Sequence, residues 1–147
     1  MIKTIDMQGM RYLNLFEKIT SVRTRYFFKY NEIIMFCVPK KLLSKALSEN
    51  NSNLKKMSDI LKKRIRIIAM PRGIEDAKEF VQAVVAPLQF KDLEVIGEEV
   101  VLIGGINKAA FIGREKRRLF EMQEIIKDFF GKRFRVAWEN LRWLILF

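Results

Sequence analysis

Phe111-Ile112-Gly113-Arg114-Glu115-Lys116-Arg117-Arg118-Leu119 joins two helical patterns through one glycine and a run of ionisable residues. Upstream of the glycine, residues 107–112 read as a short helix. Downstream, Leu119, Met122, Ile126 and Phe129 recur at helical spacing, and Gly131 is a natural stop for that longer helix. Residues 113–116 are left as a tight basic loop. On the N-terminal side, residues 88–96 alternate as a strand, Gly97-Glu98 turns the chain, and residues 100–103 form a second strand. Residues 134–138 close the segment as a third strand. Ile74, Ala77, Val81, Val84 and Val85 mark an opening helix, which Pro87 ends.

The same order of elements is written once more upstream. Met10, Leu13, Phe16 and Ile19 have helical spacing, and residues 22–30 alternate, with Arg23, Arg25, Phe27 and Lys29 on one face. Residues 31–32 turn into an apolar strand, 33–38. Residues 42–47 read as a short helix, 48–51 as a polar loop, and Leu54, Met57 and Leu61 line a longer helix with Ser and Asn at 50–53 as N-caps. Residues 65–68 close the half as a strand. An offset of 65 maps residues 35–38 onto 100–103 and residues 46–54 onto 111–119. Two copies are too few for a solenoid, so the pattern predicts a tandem of two α+β modules.

Composition sets bounds on both. The chain has 147 residues, half of them hydrophobic and 31% charged, with a formal charge of +11. That is enough apolar mass for one domain or two small ones. Residues 1–70 hold 15 Lys+Arg against 5 Asp+Glu, a net +10, whereas residues 71–147 hold 13 against 12, a net +1. Pro71-Arg72-Gly73 stands at the change and predicts the boundary. The expected division is 1–70, 71–138 and an apolar C-terminal tail, 139–147. A field this positive favours polyanionic partners.

The chemistry available is narrow. The absence of His removes the imidazole base and the imidazole metal ligand. One cysteine, Cys37, builds neither an internal disulfide nor a thiolate cluster, and its apolar surroundings point to a buried structural thiol. The sequence has no P-loop, no dinucleotide fingerprint and no nucleophilic triad. Glu98-Glu99 reads as a solvated turn. No apolar stretch approaches the ~18 residues of a membrane span. The expectation is a soluble, cytoplasmic, non-catalytic protein with no cofactor, no metal and no membrane contact.

A short helix, a four-residue loop and a second helix laid on a three-stranded sheet is the arrangement of a KH module, whose GXXG loop clamps the backbone of about four nucleotides. Glycine serves there because the chain approaches phosphates closely and takes unusual φ values. The stretch Ala46-Leu47-Ser48-Glu49-Asn50-Asn51-Ser52-Asn53-Leu54 resembles the first such segment of archaeal NusA-type transcription factors, with Ser48 and Asn51 where the glycines belong. Phe111-Ile112-Gly113-Arg114-Glu115-Lys116 resembles the second, keeping the first glycine and replacing the other by Lys116. The likeness spans roughly residues 5–138. It implies two tandem type II KH-like modules, each a three-stranded sheet packed with helices. It also implies single-stranded RNA binding during transcription elongation or termination, with RNA polymerase nearby.

The residues themselves sort into candidates. In loop two, Gly113 is kept, and Arg114, Lys116, Arg117 and Arg118 gather four cations at a helix start. Cations there oppose the helix dipole, and a phosphate held among them reverses that cost; the alternative is a solvated charge run that Glu115, Glu121 and Glu124 partly neutralise. In loop one, Lys40, Lys41, Lys45, Lys55 and Lys56 flank Asn50 and Asn51, but Glu49 stands where a phosphate would sit and repels it. The block Lys62, Lys63, Arg64 and Arg66 suits a helix C-terminus. Phe27 is either a base-stacking platform or a packing ring, and the solvated strand face around it is either a phosphate track or plain surface. Two functions stay open: an RNA-binding pair of modules working mainly through loop two, or a protein-interaction adaptor on RNA polymerase or a ribonucleoprotein whose damaged loops bind RNA weakly.

Overall fold

A computed structural model describes residues 6–139, which divide into two compact units with the break between Pro71 and Arg72. The tail expected from residue 139 onward thus lies, past Glu139, outside the described residues.

The first unit opens with α1 (Met7–Thr20), where the Asp6 carboxylate accepts the Gly9 N–H and Ser21 closes the helix in the left-handed region. Strands β1 (Tyr26–Tyr30) and β2 (Ile33–Val38) follow, then α2 (Leu43–Leu47), α3 (Ser52–Leu61) and β3 (Arg64–Ala69). β1 pairs antiparallel with β2, and β2 pairs parallel with β3. The two helices between β2 and β3 supply the crossover that a parallel pair requires. Register puts Phe27, Phe36 and Ile67 on one face, where they meet Phe16, Val22, Ala46 and Met57. Phe16 stacks on Phe36 at 4.6 Å, and burying such a ring contributes roughly 1.5–3 kcal/mol.

The second unit repeats the plan with α4 (Ala77–Val85), β4 (Asp92–Ile96), β5 (Glu99–Ile103), α5 (Lys108–Ile112), α6 (Arg117–Phe130) and β6 (Arg133–Ala137). Its sheet is again antiparallel then parallel, in the order β4-β5-β6. Phe80 lies 4.9 Å from Phe129, and Phe90 meets Phe111 edge-on at 6.3 Å. The chain is α+β, two tandem KH-like modules of type II, each a three-stranded mixed sheet packed with helices. Among the described residues, no helix is long and apolar enough to cross a membrane.

Several elements differ from the sequence pattern. The first strand starts only at Tyr26, because Ser21 turns the chain and the Thr24 hydroxyl donates to the Cys37 carbonyl before pairing begins. Arg23 therefore sits off the strand, ion-paired with Glu17 at 3.3 Å. Lys29 pairs with Glu32 at 3.1 Å. The strand read over 88–96 is cut to Asp92–Ile96, since Gln82 and the Val85 carbonyl hold Leu88 at the end of α4. The repeat offset is not constant: Tyr30↔Ile33 and Ile96↔Glu99 place the hairpins 66 apart, so Met35 corresponds to Val101, not Val100. A slip of one residue moves a side chain to the other face of a sheet. Helices hide such a slip better than strands do. Glu99 belongs to β5, not to a solvated turn, and holds the Arg135 guanidinium at 2.8 Å.

Candidate nucleic-acid interface

The two inter-helix loops have the same backbone although their sequences differ. Ser48 has φ 62° and ψ −176°, and Gly113 has φ 77° and ψ 172°. Asn50 and Glu115 follow in the left-handed region at φ 54° and 56°, then Asn51 and Lys116 at 57° and 61°. The first conformation is one that glycine alone adopts freely, and the left-handed ones cost a side chain roughly 1–2 kcal/mol each. Only one of these six positions is a glycine. Asn50 and Asn51 visit the left-handed region readily, so it is Ser48, Glu115 and Lys116 that their surroundings hold in place.

Those surroundings are visible. Asn53 is buried, and its Nδ2 donates to the Ala46 carbonyl at 2.8 Å, tying the start of α3 to the end of α2. At the matching place in the second unit the Arg118 guanidinium donates to the Ala110 carbonyl at 3.1 Å. A Cβ built on Gly113 would come 2.9 Å from Arg118 Cγ and 3.1 Å from its backbone nitrogen, so glycine is required there by space as well as by φ. The tight turn brings the first turns of α3 and α6 to the surface. No side chain caps either helix, and the caps expected from Ser and Asn at 50–53 do not form, since Asn53 reaches backward instead. Uncapped N–H groups at a helix start favour an anion.

Around the α6 end three exposed cations outnumber the one exposed acid of the turn, Glu115. Arg114, Lys116 and Arg117 are exposed, and Gly113 is half-buried at the centre of the turn. Arg118, grouped with them in the sequence, is half-buried and spent on the Ala110 carbonyl, so it shapes the loop and does not present a free cation. Around the α3 end, Lys40, Lys41, Lys45, Lys55 and Lys56 are exposed, as are Asn50 and Asn51, and Glu49 is exposed among them. Glu49 occupies the place that Arg114 holds in the second loop.

Other candidates are placed elsewhere. Phe27 is a packing ring, 5.9 Å from both Tyr12 and Phe36. Arg64 donates to the Asn31 carbonyl at 3.1 Å and helps set the strand register. Arg66 lies beside it in an open groove of about 340 Å³ lined also by Ile33, Leu54, Lys55, Ser58 and Ile65. Burial first, and the neighbouring Arg64 charge second, lower the Arg66 pKa from its ordinary value. Burial pushes the Cys37 thiol up to about 12, which leaves it protonated and unreactive at neutral pH. Among the described residues, no group of three or more acidic or thiol ligands could hold a metal ion. Sequence reading missed Phe120, on the first turns of α6 and more than half exposed; a lone aromatic beside a charge run was its only signal.

No family model matches the chain, and no curated protein matches it. Solved structures do. The crystal structure of APE1850 superposes over 90% of this chain and 100% of its own, with a TM-score of 0.63 at 18% identity. At that identity the likeness is one of fold.

Proposed function

We propose that this chain is a non-catalytic, cytoplasmic RNA-binding protein of the archaeal NusA type, which holds single-stranded RNA during transcription elongation or termination. The observation that carries the reading is the second loop. It combines a turn opened by Gly113 at φ 77° and ψ 172°, an uncapped helix start and three exposed cations, Arg114, Lys116 and Arg117. A phosphodiester seated there satisfies the helix dipole and the side chains together. The flanking lysines of the first unit extend the attraction without sequence preference.

The test is a titration of labelled single-stranded RNA against duplex DNA at several salt concentrations. The reading expects preference for the single strand and a salt slope of about −0.7 per phosphate neutralised. It also expects that slope to shrink when Arg114, Lys116 and Arg117 are all replaced by Ala. Equal binding to both nucleic acids, unchanged in the triple variant, overturns it.

A second reading has one observation in its favour. The exposed Glu49 carboxylate in loop one disfavours phosphate in a turn otherwise shaped for it. An adaptor on RNA polymerase or a ribonucleoprotein has no need of two working clamps. Tethering gives even a weak RNA contact a high effective concentration.

A further inference from the structure

Phe120 is 55% exposed on α6. It stands three residues after Arg117, so those two share a face of the first turn of α6, and Lys116 is the residue from which that turn starts. The other large rings of α6, Phe129 and Phe130, pack on Phe80. The 65-residue correspondence that matches Ser48 with Gly113 also matches Phe120 with the exposed Lys55 of α3. One unit therefore carries an ammonium where the other carries a bare aromatic face.

We propose that Phe120 is a stacking platform for an unpaired nucleobase whose neighbouring phosphate lies against Lys116 and Arg117. This inference rests on the RNA-binding reading and names the part of the nucleotide that loop two alone leaves unread. An exposed phenyl ring costs solvation, and the ligand that recovers it must be flat, apolar on its face and tolerant of cations within one helical turn. A base on a single strand meets all three conditions, because every base has a π-face and its phosphate seeks the cations. A duplex keeps its bases stacked on one another and offers none.

The test compares a short oligouridylate with an abasic oligomer of equal length on wild type, Phe120→Ala and Phe120→Trp. Wild type should bind the base-bearing strand about tenfold more tightly than the abasic one, a ratio that corresponds to one stacked base. Phe120→Ala should erase that ratio and leave abasic binding unchanged. Phe120→Trp should keep it and show tryptophan quenching on oligouridylate alone. If Phe120→Ala leaves the ratio intact, or weakens both strands equally, the ring does not stack and the inference falls. Salt-dependent RNA binding through loop two then still stands. Loss of all single-strand preference in wild type would instead sink the RNA-binding reading itself. Urea midpoints of the variants should match wild type, and a large drop would assign Phe120 to packing.

Discussion

Ser48 holds the backbone of Gly113: φ 62° and ψ −176° at the serine, φ 77° and ψ 172° at the glycine. A side chain is thus kept in a conformation that costs roughly 1–3 kcal/mol, and the fold around it bears the strain. Ser48→Gly relieves the strain and adds unfolded-state entropy, which costs up to about 1 kcal/mol. The net expectation is a gain of about 1 kcal/mol, read as a raised urea midpoint with an unchanged slope. The opposite change, Gly113→Ala, should lose about 1–3 kcal/mol. A neutral or destabilising Ser48→Gly would mean that the serine is not strained.

Asn53 and Arg118 close their turns by different chemistry. Asn53→Ala leaves the Ala46 carbonyl without its buried donor and should cost about 1–3 kcal/mol in denaturant unfolding. Arg118→Ala, at a half-buried site, should cost about 1 kcal/mol. Binding should distinguish Arg118 from its neighbours. RNA affinity should fall less in Arg118→Ala than in Arg114→Ala or Lys116→Ala, and a larger fall would return Arg118 to the phosphate contacts.

Glu49 faces solvent at the position that is Arg114 in the second loop. Glu49→Lys removes one repulsion and adds one attraction at a screened surface. A gain of roughly fivefold in single-stranded RNA affinity at low salt is expected, fading as salt rises. No gain at any salt concentration would mean that loop one does not face the RNA.

Cys37 gives a pH dependence with a definite sign. Its folded pKa is pushed up from 9.0 to about 12 by burial, so the folded state binds this proton more tightly than the unfolded chain does. Stability from this group is fully present below about pH 9 and is lost as pH rises toward about 12, at roughly 1.4 kcal/mol per pH unit. Unfolding midpoints measured from pH 8 to pH 10 should fall more steeply for wild type than for Cys37→Ala. Parallel curves would mean that the thiol titrates alike in both states.

Much of the fold is legible without coordinates, and the reasons are local. The uninterrupted apolar run at 33–38 is the central strand of its sheet, and a strand covered on both faces has no polar alternation to show. Leu54, Met57 and Leu61 reveal α3 because a helix has only one buried stripe. Arg23 misleads for the opposite reason, while Phe27 has the packing role that a single aromatic suggests. Alternation continues in the letters past the point where pairing stops, and only register tells which face a ring packs on.

The tandem plan, the excess charge of the first half and the charged run at residues 114–118 can be read from the chain alone, because periodicity and charge are written in its order of residues. Packing settles which of those cations point outward, that Ser48 takes the backbone of a glycine, and that Phe120 is left exposed while Phe129 and Phe130 are half-buried against Phe80. Each of those outcomes depends on what stands opposite a residue in space: a carbonyl for Arg118, a buried amide beside the turn, a phenylalanine from another helix. Sequence spacing carries no record of such partners, since a contact between distant segments exists only once both have packed.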